Sequence, residues 1–215
     1  MSKAGDVYDN PASGERAVIR IGTAETGGEL LVVDLYVRPG GAVIGEHYHP
    51  AVEERFTVLS GRVNFRVDGR AGVAEPGDSI LVEAGVPHAW WNAGREEVAV
   101  RIVVRPAARF EECILNVFGL GQDGRVKPGG MPNLLQLAVF AREFDDVIRF
   151  TGSPRWAQRV MFGALAPVAW LLGYRGSYSE YLTRGPSETV HVEPLGAAAL
   201  ANPLPSESLS IAGGL

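Results

Sequence analysis

Three of the chain's four histidines, together with a carboxylate, fall in two short segments at spacings that suit one metal ion. The first segment reads Gly41-Ala-Val-Ile-Gly-Glu-His47-Tyr-His49-Pro-Ala-Val-Glu53-Glu54-Arg-Phe-Thr-Val-Leu-Ser-Gly61. The second reads Gly77-Asp-Ser-Ile-Leu-Val-Glu83-Ala-Gly85-Val-Pro87-His88-Ala-Trp90-Trp91-Asn92. Imidazole and carboxylate donors together make up the ligand sets of iron, manganese, nickel, copper and zinc sites. One divalent transition-metal ion (Fe, Mn, Ni, Cu or Zn) is therefore the first expectation for this protein.

Such donors need elements that bring them together. Side chains on a β-strand alternate faces, which puts His47 and His49 on one face, about 7 Å apart. Pro50 and Ala51 allow a bend, and a new strand starts at Glu54, where Glu54, Phe56 and Val58 alternate with Arg55, Thr57 and Leu59. His88 opens a third strand with Trp90 and Asn92 on its own face. If that strand lies beside the first two, His47, His49, Glu54 and His88 converge on one point.

These two segments resemble the paired motifs of the cupin superfamily. The first motif is Gly, five residues, His-x-His, three or four residues, Glu, six residues, Gly, and Gly41, His47, His49, Glu54 and Gly61 meet every position. Gly77, Gly85, His88 and Asn92 meet the second. Glu83 departs from it, standing where the family usually has proline; Pro87 beside His88 is a candidate substitute for the lost rigidity. Of the adjacent acids only Glu54 leaves six residues before Gly61, which makes Glu54 the ligand and Glu53 solvent-facing. The resemblance implies a mainly β double-stranded β-helix, the jelly-roll barrel of cupins, over residues 15–106.

Three histidines and one carboxylate leave coordination positions open for water, oxygen or substrate, as catalytic metal sites do. Phe56, Phe65 and Trp90 are candidates for an apolar pocket around the ion, with Asn92 offering an amide or supporting the turn. An aromatic pocket favours a planar or hydrophobic small molecule. The likeness to quercetin-dioxygenase-type cupins then implies substrate chelation and reaction with oxygen, the ion serving as Lewis acid and template. No catalytic side chain is assigned. Two competing readings stand beside the oxygenase. One is a non-catalytic binding or sensing cupin; the other is a metal-assisted isomerase or lyase, for which Glu83 and Tyr48 are the conceivable participants.

With 215 residues the chain can bury a substantial core. A net charge of −5 argues against nucleic acid, which calls for clustered Lys and Arg. The single cysteine, Cys113, excludes an internal disulfide, and the first ten residues lack the apolar run of a signal peptide. Both fit a cytoplasmic protein.

Short β-rich runs fill residues 15–106: Ala17–Ile21, Glu29–Val37, Phe56–Leu59, Val63–Val67, Ser79–Val82 and Glu97–Val104. Turn signals such as Asp68-Gly69 and Pro76-Gly77 separate them. Beyond Pro106 the pattern turns helical, predicting an α-helical extension over 107–185 that packs on the barrel or on the partner of a homodimer. One helix is expected from Asn133 to about Phe150. A second runs to Leu172, with Ser153 as N-cap, Pro154 in its first position and Gly173 as its stop. Its uncharged stretch from Val160 to Leu172 is too short to span a bilayer and lacks the basic face of a surface anchor, so packing is favoured over a membrane role. Gly119-Leu-Gly121-Gln-Asp-Gly124 has the spelling of a dinucleotide fingerprint, but Lys127-Pro-Gly-Gly-Met-Pro132 follows it, which predicts a loop. Residues 186–215 read as a strand-like piece, with a solvated His191, and a flexible tail from Ala197 onward.

Overall fold

The computed structural model describes residues 2–42, 45–127 and 129–196; the tail expected to be flexible lies outside them. In chain order the strands of the barrel are β1 (Asp6–Asn10), β2 (Glu15–Ile21), β3 (Leu31–Val37), β4 (His47–Tyr48), β5 (Glu53–Ser60), β6 (Val63–Val67), β7 (Arg70–Ala74), β8 (Ser79–Val82), β9 (His88–Trp91) and β10 (Val98–Arg105). Then come α1 (Phe110–Gln122), α2 (Leu134–Glu143), β11 (Arg149–Phe150), α3 (Arg155–Leu171), α4 (Ser179–Thr183) and β12 (Glu188–Thr189). Two antiparallel sheets face each other as a jelly roll. The larger has the order β12-β1-β2-β3-β10-β5-β8, the smaller β11-β4-β9-β6-β7.

Alternation drives this sandwich. Along β5, Glu54, Phe56 and Val58 are buried, and Val63 and Phe65 of β6 likewise face inward. Asp68 and Gly69, both at positive φ, make the tight reversal that joins β6 to β7. Strands β1, β7 and β11 escaped the sequence reading, whereas β12 falls in the strand-like piece expected beyond residue 186. β1 and β12 extend the larger sheet with residues from outside 15–106.

The extension shares the barrel's core. Phe110, Cys113, Phe118, Phe140, Phe144 and Val147 belong to one buried cluster with Phe56, Phe65 and Trp90. Helix α2 starts as expected, with the Asn133 side chain accepting from the Gln136 N–H, but it ends at Glu143 rather than near Phe150. The N–H groups of Val147 and Ile148 both turn back to the Phe144 carbonyl, and Arg149 and Phe150 leave the helix to pair with Tyr48 and His47.

The glycine-rich stretch expected as a loop is helical: α1 runs through Gly119 and Gly121 and stops before Gly124, at φ 64°. Helix α3 starts at Arg155, with Pro154 rather than Ser153 in the capping position, and continues through Pro167. It buries Gln158, Phe162, Ala166 and Ala169 but leaves Trp156 72% and Leu171 88% exposed, so only one of its faces is packed. Among the described residues no helix is long and apolar enough to cross a membrane. His191 is exposed, with its Nε2 3.1 Å from Glu193 Oε1, far from the other histidines in the chain.

Candidate metal centre

The four donors come from both sheets. β4 pairs with β9 so that His47 stands opposite His88, and His49 follows β4 directly. β5, which carries Glu54, belongs to the facing sheet, not beside β4 as the sequence suggested. Glu54 therefore reaches the histidines across the barrel. The backbone fixes the approach of the two motifs: Gly85, at φ 83°, donates its N–H to the His49 carbonyl at 2.7 Å. A residue with a side chain is strained in that conformation. Despite Glu83 in the place of proline, the turn closes, with the Val86 N–H donating to the Glu83 carbonyl.

His47, His49, Glu54 and His88 are each buried, and one ligand atom from each lies within 4.8 Å of the others. Every imidazole is held from behind. The Nδ1 of His47 is 2.8 Å from the Gly45 carbonyl, that of His49 2.6 Å from the Val147 carbonyl and that of His88 3.1 Å from the Val86 carbonyl. A carbonyl can only accept, so Nδ1 carries the proton and each Nε2 presents a lone pair to the centre. The Nε2 atoms of His49 and His88 stand 3.1 and 2.9 Å from Glu54 Oε2. None of these three buried atoms has a partner in hydrogen-bond geometry. Lone pairs facing a carboxylate at such distances repel, and a buried polar atom without a partner costs about 1–3 kcal/mol. A cation at the centre removes both penalties. These residues fit a metal ion.

The electrostatics agree for His47 and Glu54, while the Glu54 carboxylate draws His88 toward its charged form. Burial, reinforced by His88 and His49, pushes His47 down to about 3, so its ring is neutral. Burial works to raise Glu54, yet His49 and His88 beside it outweigh that and hold the carboxyl well below its usual range. Burial likewise works to lower His88, and the Glu54 carboxylate reverses it.

The remaining candidates fall into three groups. Phe56, Phe65 and Trp90 form one aromatic cluster with centroids 6.0–6.3 Å apart, and Phe56 lies 5.8 Å from the His88 ring. Asn92 is spent on the backbone: its Nδ2 donates to the Val37 and Glu96 carbonyls and its Oδ1 accepts from Gly94 N–H. Tyr48 alternates with His47 and His49 on the strand, and Glu83 is exposed in its turn, so neither faces the donor cluster. Glu53 is half-buried rather than solvent-facing. The sequence reading missed Phe110, whose ring centroid is 5.1 Å from that of His49, and the three carbonyl oxygens behind the imidazoles. No residue type signals a carbonyl, so nothing in the sequence could have marked Gly45, Val86 or Val147.

Residues 34–105 match the model of the cupin domain family. They are a cupin domain. Among solved structures the chain is similar to a predicted oxalate decarboxylase from Thermotoga maritima (18% identity over 49% of this chain and 98% of that one, TM-score 0.44). It is also similar to an RmlC-like cupin from Shewanella frigidimarina (21%, 48% and 85%, TM-score 0.41). A third is a double-stranded β-helix protein from Klebsiella pneumoniae (26%, 46% and 84%, TM-score 0.40). No curated protein matches the chain. All four donors of this cupin lie inside the matched range, whereas Phe110 and Val147 lie beyond it.

Proposed function

We propose that this cupin is a metal-dependent enzyme of the oxygenase type, acting on a small aromatic or hydrophobic molecule that binds the ion directly. The observation that carries the reading is the set of three imidazoles, each locked through Nδ1 to a carbonyl, with three Nε2 atoms and one carboxylate aimed at a common centre. His47, His49 and His88 would hold a divalent ion through Nε2, and Glu54 through its carboxylate. A bound transition ion supplies Lewis acidity and, where it is redox-active, a means of engaging oxygen.

The chain's own groups favour this chemistry in two ways. Three neutral imidazoles and one carboxylate leave a divalent ion with one unit of positive charge, which attracts an ionised oxygen of a substrate. Phe110 and Phe56 pack against the His49 and His88 rings, with Phe65 and Trp90 beside Phe56, and this apolar surface strengthens that attraction by keeping water out. An isomerase or lyase needs a side chain placed to move a proton, and the two candidates for that role, Tyr48 and Glu83, stand off the cluster.

Elemental mass spectrometry of protein purified without a metal-affinity step, followed by oxygen-uptake assays on planar aromatic compounds, tests the proposal. Near-stoichiometric iron, manganese, nickel or copper with substrate-dependent uptake supports it. Zinc, or no metal with no uptake, overturns the oxygenase reading in favour of an isomerase or a binding cupin.

A further inference from the structure

A cleft of about 360 Å³ opens between α2, β11 and the start of α3, and none of the four metal donors lines it. Four arginines line it, Arg142, Arg149, Arg155 and Arg159, against one acid, Asp145. Asp145 is already committed. Its Oδ2 accepts from Arg149 at 3.1 Å, and its two oxygens accept from Arg155 at 3.0 and 3.2 Å. Arg142 and Arg159 have no acid within ion-pair distance among the described residues. Arg142 nevertheless reaches from α2 over α3: a Cβ at Gly163 would lie 3.7 Å from its Nη1. Four guanidiniums facing one carboxylate leave three positive charges in excess around a shared cavity.

Ile148, Phe150 and Phe162 line the same cleft. Ile148 and Phe162 are buried and give it an apolar side. Such a combination is poorly suited to water or a bare ion and well suited to an amphiphilic anion. Guanidiniums match phosphate oxygens two at a time, and an excess of three charges suits a dianion better than a monocarboxylate. The volume is at the small end of ligand sites, enough for a phosphate and a compact apolar body. We propose that this cleft binds a phosphate monoester carrying an apolar group, with Arg142 and Arg159 as its principal contacts and Arg149 and Arg155 held in place by Asp145.

That chemistry occurs in soluble aryl or alkyl phosphates and in the headgroup of phosphatidic acid, and one experiment separates the two. Phenyl phosphate is titrated calorimetrically into the full chain and into Arg142→Ala/Arg159→Ala, with phenol as the uncharged comparison. In parallel, both proteins are sedimented with phosphatidylcholine vesicles with and without phosphatidic acid. Both arginines are exposed and outside the metal cluster, so the variant should keep the parent's thermal midpoint and metal content. Saturable binding of phenyl phosphate but not phenol, weakened about tenfold or more in the variant, supports the site with a soluble ligand. Binding only to vesicles with phosphatidic acid, lost in the variant, supports it with a lipid source. Binding to neither, or binding that the double variant leaves unchanged, overturns it.

Discussion

His49 Nδ1 and the main-chain oxygen of Val147 lie 2.6 Å apart, joining a donor of the metal cluster to a residue 98 positions further along the chain. The short segment that carries Val147 also supplies β11, which pairs with β4 at His47 and Tyr48. The extension is therefore part of the site's wall, and it orients one imbidazole directly.

Removing residues beyond 106 should consequently destroy the fold rather than trim it. Phe110, Phe118, Phe140, Phe144 and Val147 are buried in the barrel's own cluster. At about 1.5–3 kcal/mol each, their burial amounts to on the order of 10 kcal/mol, comparable to the whole stability of a typical domain. A fragment ending at Pro106 is expected to be insoluble or to lack a cooperative thermal transition. A soluble fragment that melts like the full chain would show that the barrel stands alone.

His49→Ala should separate metal from fold. Changing a group that merely supports a ligand costs about 10–100-fold in metal affinity, so deleting a donor should cost more. The stranded Val147 carbonyl adds a stability loss of about 1–3 kcal/mol. Elemental analysis is expected to find metal well below stoichiometry in a protein that still melts cooperatively. Full metal retention would remove His49 from the ligand set.

The donors were legible because each had a side-chain type and a spacing that strand alternation converts into a direction. The barrel was legible from short apolar runs cut by Gly and Asp-Gly turns. Val147 was not, because it acts through a carbonyl that every residue possesses. Helix α1 was read partly as loop because glycine is a poor helix former, and the reason for its glycines lies in distant residues, Tyr181 and Asn10, that only the fold brings near. The end of α2 was overshot because its apolar spacing continues past Glu143, while pairing of Arg149 and Phe150 with β4 outweighs further helix.

Glu15 should give the protein a distinct pH response. Burial pushes its carboxyl up to about 7, against the donors on Ser13 and Asn10 that favour the charged form. The folded state thus holds this proton more tightly than the unfolded chain, whose carboxyl titrates near 4.5. The contribution is fully present below that lower value and is lost as pH rises toward 7, by on the order of 2–3 kcal/mol. Glu15→Gln keeps the shape and removes the proton. Comparing urea midpoints at about pH 5 and about pH 8 isolates the effect, because other titrating groups are common to both proteins. The variant should gain on the wild type at the higher pH; equal pH dependence in the two would refute the assignment.

Gly119→Ala sets two opposing effects against each other. In a helix interior alanine is better than glycine by about 1 kcal/mol. Here, however, the new Cβ would lie 2.3 Å from Tyr181 Cγ and 2.5 and 2.6 Å from the two Cδ atoms. The ring has little freedom to retreat: Tyr181 is 1% exposed, its hydroxyl donates to Asp123 at 2.9 Å and accepts from Arg125 at 3.2 Å, and the Arg184 guanidinium lies over it. Overpacking of this kind costs about 1–3 kcal/mol, and contact with a pinned ring belongs at the upper end, so the clash outweighs the propensity gain. The net loss of roughly 1–2 kcal/mol should lower the thermal midpoint by about 2–6 °C. Placing the same substitution in a Tyr181→Ala background removes the obstruction, and there alanine should be neutral or stabilising. An unchanged midpoint for the single variant, or the same penalty in both backgrounds, would mean that the approach of Tyr181 does not account for this glycine.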